Sequence, residues 1–228
     1  MIVQWLGHAC FKISHNDYSI VIDPYNYRYT EGYPELRVTA DKLLVSHEHY
    51  GHNCREAVSL SGRGDSGNPF EITSFSVDHD SVGGIMRGSS LVHVLEAGGV
   101  KIAHMGDIGT VLTGGQASIL SELDAILVTA GSLTALPSEA IWRLYEELFP
   151  RVLIPMHYRD ENHGIRRLET VDKLVSYFED PSFAVEYDSD TLEIIHEMTP
   201  QIAILKYQGE AAKSSFPKTR GLKWPRKP

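Results

Sequence analysis

Three histidines fall within six residues in Ser46-His47-Glu48-His49-Tyr50-Gly51-His52-Asn53, directly after the apolar run Lys42-Leu43-Leu44-Val45. Imidazole is the commonest metal-binding side chain. Residues i and i+2 of an extended segment point the same way, so His47 and His49 can share one ion while His52 faces elsewhere. A polar loop that happens to be rich in histidine is the alternative, but a triple at the end of an apolar strand argues for a site.

The same arrangement recurs along the chain. The apolar run at 70–77 leads into His79, the run at 100–103 into His104 and Asp107, and the run at 151–155 into His157. Four strands ending in metal-type residues predict one shared edge, because sites on layered α/β folds gather beyond strand ends. Residues 1–22 alternate apolar and polar about a turn at His15-Asn16-Asp17, which predicts an antiparallel hairpin, and Gly98-Gly99 predicts a second one. Ser138 is placed to cap a helix whose Ile141, Leu144 and Leu148 form one stripe, ending at Pro150. A second helix is predicted over 170–179 with Val171, Leu174, Val175 and Phe178 inward, and late strands near 183–187, 192–195 and 202–205.

The histidine cluster resembles the His-x-His-x-Asp-His motif of the metallo-β-lactamase superfamily, with Gly51 standing where the family has aspartate. The likeness extends through Trp5-Leu6-Gly7-His8-Ala9-Cys10-Phe11, Val21-Ile22-Asp23-Pro24-Tyr25, His79-Asp80, Arg87-Gly88, His104-Met105-Gly106-Asp107 and Ile154-Pro155-Met156-His157-Tyr158. It is similar to the branch holding the L-ascorbate phosphate lactonases and related zinc-dependent hydrolases. The resemblance implies an α/β fold, the four-layer αββα sandwich, over a single domain at 1–212.

It also implies that His47, His49 and His79 bind a first metal, with Asp107 bridging to a second held by His52, Asp107 and His157. The ions would be Zn2+ or Mn2+, one or two in number. The implied activity is a hydrolase that uses metal-activated water on an ester, lactone or phosphodiester bond, with a second site weakened by Gly51. A catalytically impaired metal- or ligand-binding protein on the same scaffold is the alternative. Asp107 is the remaining candidate to accept a proton. Arg87, His8 and His104 are candidates for binding an anionic small-molecule substrate, and Asp23 and Asn53 for supporting the ligands from outside.

The chain has 228 residues and a formal charge of −9, which disfavours general binding to nucleic acid or to anionic membranes. It has no apolar run long enough to span a bilayer, and no signal-peptide pattern at its start, so a cytoplasmic location is expected. Its two cysteines, Cys10 and Cys54, predict small buried hydrophobes rather than a disulfide. The segment 213–228 is basic, with Phe216 and Trp224 among its lysines and arginines. It is expected to dock as an extended arm on its own body or on a second copy in a homo-oligomer.

Overall fold

The computed structural model describes residues 1–132 and 134–209. The basic arm expected at 213–228, and the burial of Phe216 or Trp224, lie outside the described residues. In chain order the strands are β1 (Ile2–Gly7), β2 (Cys10–His15), β3 (Tyr18–Ile22), β4 (Val38–Ala40), β5 (Lys42–Leu44), β6 (Val58–Leu60) and β7 (Glu71–Asp78). They continue with β8 (Ser89–Ala97), β9 (Val100–His104), β10 (Ala125–Thr129), β11 (Val152–Met156), β12 (Ala184–Tyr187), β13 (Thr191–Glu193) and β14 (Gln201–Leu205). The α-helices are α1 (Gly114–Ile119), α2 (Ser138–Leu148) and α3 (Val171–Val175).

Two sheets form the centre. A five-stranded sheet runs β13-β1-β2-β3-β5, and a seven-stranded sheet runs β12-β14-β11-β10-β9-β8-β7. In the first, alternation sorts the side chains: Phe11, Ile20 and Ile22 join the main core, while Cys10 and Val21 face the other way into a smaller cluster with Tyr25, Tyr33, Ala40 and Val58. In the second, β10 pairs in parallel with both β9 and β11, and every residue of β10 and β11 is buried. That is the behaviour of parallel strands covered on both faces. Each fully buried Val, Leu or Ile contributes about 1.5–3 kcal/mol relative to exposure, so this continuous apolar block dominates the fold's stability.

The predicted four-layer order is present, with unequal outer layers. Helices α2 and α3 pack on the main core through Ile141, Leu144 and Leu174. The outer face of the five-stranded sheet is covered by the loop after β3, the parallel pair β4–β6 and a 3-10 turn at Arg55–Ala57. The loop after β3 carries Tyr25, Tyr27, Tyr29 and Tyr33, of which Tyr25 and Tyr33 are buried, whereas exposed Tyr29 stacks on Tyr50 with ring centroids 4.2 Å apart. Cys10 is buried, Cys54 is partly buried, and both are free thiols.

Two helix ends differ from expectation. Pro137, not Ser138, occupies the N-cap of α2, and no side chain caps that end. Proline's fixed φ suits a helix start and its missing N–H costs nothing there. Ser138 instead places Oγ 3.5 Å from the Ala130 carbonyl. Helix α3 is shorter than the predicted 170–179, because the chain beyond it tightens into i→i−3 bonds such as Tyr177 N–H to Leu174 O at 3.1 Å and Phe178 N–H to Val175 O at 3.0 Å.

Candidate metal centre

Five strands deliver their next residues to one edge. β5 is followed by the His47–His52 loop, β7 by His79, β9 by Asp107 and β11 by His157, as the sequence led one to expect, and β1 adds His8. The two sheets are tied there by main chain, since His157 N–H donates to the His8 carbonyl at 3.1 Å. His8 and His157 both hold positive φ, 53° and 55°, a conformation uncommon for residues other than glycine. Gly106 turns the chain ahead of Asp107 at φ +55, where a Cβ would meet Ser90 Oγ at 2.5 Å and the Leu91 carbonyl at 2.8 Å. Glycine is needed at 106 for this turn against β8.

Two groups of histidines result. Ligand atoms of His47, His49 and His79 lie within 4.8 Å of one another, and so do those of His8, His52 and His157. Asp107 stands between them. Its Oδ2 is 3.3 Å from His79 Nε2, 3.6 Å from His52 Nε2, 3.8 Å from His157 Nε2 and 4.0 Å from His47 Nε2. Two atoms bound about 2.1 Å from one tetrahedral ion stand about 3.4 Å apart, so these separations suit a carboxylate shared by ions on either side.

A single buried carboxylate sets the outer support. Asp23 Oδ2 accepts from His52 Nδ1 at 2.8 Å and from Ser46 Oγ at 2.5 Å, while Oδ1 accepts from Ser46 N–H at 2.6 Å. With its hydroxyl proton given to Asp23, Ser46 Oγ accepts from His47 Nδ1 at 2.9 Å. Asp23 thus fixes the His52 tautomer directly and the His47 tautomer through Ser46, which leaves both Nε2 atoms bare toward Asp107. Thr129 Oγ1 lies 3.1 Å from Asp107 Oδ1 and orients the other end of that carboxylate. Asn53 turns outward, donating to Glu48 at 2.9 Å.

The electrostatics favour neutral imidazoles around a charged carboxylate. Burial, followed by repulsion from His52, lowers His47 to about 3 and His49 to about 4. Burial, then the neighbouring His157 and His52, also holds His8 well below the usual value. Burial opposes ionisation of Asp107, but His157 and His52 outweigh it and leave its carboxyl well below the ordinary range. His52 moves the other way: burial is overcome by Asp107 and Asp23, which raise it. His47 Nε2 and His79 Nε2, both facing Asp107 Oδ2, are buried without a hydrogen-bond partner. An unsatisfied buried polar atom costs about 1–3 kcal/mol, a cost that a divalent cation accepting these lone pairs would remove, so the residues fit a metal.

The three candidates for substrate contact separate. His104 lies buried behind the site with its Nε2 on the Ala9 carbonyl at 2.9 Å and its Nδ1 accepting Gly106 N–H at 3.2 Å. No ring nitrogen is left for a substrate, so His104 is a bracket between sheets. His8 belongs with the second group of histidines. Arg87 is exposed on the loop 81–88 after His79, close enough to lower the His49 pKa by its charge. That loop is held by Asp80, which accepts N–H bonds from Val82, Gly84, Met86 and Arg87 at 2.7–3.0 Å.

The beta-lactamase superfamily domain family matches residues 2–157. The chain belongs to that family. A UPF0173 metal-dependent hydrolase of Thermococcus onnurineus is 28% identical over 197 residues, covering 68% of this chain and 84% of the relative. One from Methanopyrus kandleri is 27% identical over 199 residues, covering 69% and 84%. Among solved structures, a Thermotoga maritima protein named as a Zn-dependent hydrolase of the metallo-β-lactamase superfamily aligns with TM-score 0.70 at 26% identity, over 90% of this chain and 97% of that one. The family match takes in every candidate ligand described above, from His8 to His157. Among the described residues no helix is long and apolar enough to cross a membrane.

Proposed function

We propose that the chain is a metal-dependent hydrolase that binds two divalent ions, one at His47, His49 and His79 and one at His52 and His157, with Asp107 shared. The observation that carries this reading is the position of Asp107 Oδ2, 3.3–4.0 Å from the Nε2 atoms of four histidines drawn from three separate segments. Relatives named as metal-dependent hydrolases support it. Imidazole-rich surroundings favour Zn2+, with Mn2+ the alternative.

When bound, such ions supply a nucleophile from water near neutral pH and stabilise the leaving oxygen. The chain's own residues do the rest. Asp23 and Ser46 hold the His52 and His47 rings in one tautomer. Asp107, kept ionised at neutral pH, supplies the negative charge that both groups of histidines share, and its lowered pKa makes it a weak proton acceptor. His8, His52 and His157 are buried and close the inner end to water, so substrate approaches from the side of exposed His49, Tyr50 and Arg87. A cationic guanidinium at that mouth suits an ester, lactone or phosphodiester carrying an anionic group.

The test is turnover against a panel of lactones and phosphodiesters by protein stripped with chelator and reloaded with Zn2+ or Mn2+. Activity should vanish on stripping and return on reloading. Protein that retains no divalent ion after dialysis and turns over none of the panel would remove the reading.

A further inference from the structure

We propose that His8 is a ligand of the second ion and occupies the place of the side chain that Gly51 lacks. This rests on the two-ion reading above and deepens it.

Gly51 is not an empty position. A Cβ built on it would stand 2.8 Å from His8 Nε2 and 3.3 Å from His8 Cδ2. Real Cβ contacts essentially never come so close, so a residue larger than glycine at 51 and the observed His8 ring exclude each other. The backbone at Gly51 is not in the left-handed region, so nothing in its own conformation demands glycine. The imidazole is what demands it. The two positions work as one unit, in which the side chain on the histidine loop is deleted and its space filled from the end of β1.

The imidazole is also aimed as a ligand. His8, His52 and His157 each offer an atom within 4.8 Å of the others, and all three are buried. The His8 ring lies 4.0 Å from the His157 ring and 5.5 Å from the His52 ring, centroid to centroid. Its main chain is pinned: the His8 carbonyl accepts from Trp5 Nε1 at 2.9 Å as well as from His157 N–H. His8 Nδ1 is buried with no hydrogen-bond partner, so the ring is not explained as a bracket in the way His104 is. The second site therefore keeps three imidazoles beside the shared Asp107, and the weakening expected from the absence of aspartate at 51 does not follow. The exchange of a carboxylate for a neutral ring leaves the centre one negative charge poorer, which favours anionic substrates.

The experiment compares the full chain with His8→Ala, Gly51→Asp and the double variant, each loaded with Zn2+ and dialysed. Zinc per chain is read by elemental analysis and affinity by competition with a chromophoric chelator, with melting curves as the folding control. The wild type should hold two ions. His8→Ala should hold one, its second-site affinity falling by more than the roughly 10–100-fold typical of an outer-shell partner. Gly51→Asp alone should gain nothing and lose second-site zinc, because its side chain meets the His8 ring. The double variant should recover two ions, which a merely misfolded single variant would not explain. Two ions held as tightly by His8→Ala as by the wild type, or a gain in affinity from Gly51→Asp alone, would overturn the role of His8 and leave the two-ion reading standing. A wild type that takes up fewer than two ions would sink both.

Discussion

The two histidine groups on either side of Asp107 are built differently. His47 and His49 come from one short loop and buried His79 from the end of β7, and His49 is open to solvent. His8, His52 and His157 come from three distant segments and are all buried, at 1–8% exposure. The first group is a local pair completed by one distant histidine, and it reaches the mouth through His49, where ligand and water can exchange. The second is a product of tertiary packing, held where the two sheets meet and where rearrangement would disturb the main-chain bond between His157 and His8. The first group is suited to substrate exchange and the second to holding a fixed charge.

The comparison predicts a graded series of effects. Asp107→Asn touches both groups at once and should have the largest effect. Zinc content should fall at both sites and hydrolysis should drop by well over the roughly 100-fold upper range of outer-shell changes. Should Asp107→Asn retain two ions, the two groups do not share a carboxylate.

Asp23→Asn comes next and separates the groups. Asp23 acts on His52 directly but on His47 only through Ser46. Affinity should fall by about 10–100-fold at the second site and by less at the first, measured by chelator competition. An equal loss at both sites would show that Asp23 acts on the whole edge rather than on one ring. His104→Ala is the control: it leaves the Ala9 carbonyl and Gly106 N–H unpaired, and should cost about 1–3 kcal/mol of stability with no preference between the sites.

Acidification gives a smaller effect with a definite sign. In metal-free protein His47 and His49 have folded pKa values lowered from 6.5 to about 3 and about 4. The unfolded chain therefore binds more protons between those values and 6.5, and stability falls as pH is lowered through that window. His52 is raised and opposes this, contributing stability below its unfolded pKa that is lost as pH rises through the folded one. The net slope should follow the more numerous lowered histidines, with melting temperature dropping from pH 6.5 to 4. A flat profile in that range would mean that the raised His52 offsets the lowered histidines.

The same contrast explains what could be read from the chain. The ends of β5, β7, β9 and β11 were apolar runs followed directly by metal-type residues, and the local period of each run was enough to find them. The capping of α1 by Thr113 and Gln116 was missed, because six residues starting with two glycines carry no helical period. His8 was seen as a candidate for substrate rather than metal, since nothing near it in sequence says that it lies against Gly51. That contact exists only after β1 and the histidine loop are brought together by the core. His104 was misread for the opposite reason, because a histidine at a strand end looks the same whether its nitrogens face a site or the backbone of the next sheet.

Arg87 carries the smallest expected effect and tests whether the mouth is a recognition surface at all. Its guanidinium is exposed, and its main chain is fixed by Asp80 through a 2.7 Å N–H bond that any residue could make. Removing the side chain should therefore leave loop 81–88 in place. An exposed charge interaction is worth up to about 1 kcal/mol, or roughly fivefold. Arg87→Ala should raise KM for anionic substrates by up to that factor, leave kcat nearly unchanged and leave neutral esters unaffected. The difference should shrink as salt is added, because the pair is screened by solvent, and Arg87→Lys should retain most of the effect if charge rather than the planar fork matters. If neutral and anionic substrates lose equally, Arg87 shapes the mouth sterically and the selectivity for anions must come from the charge of the buried centre instead.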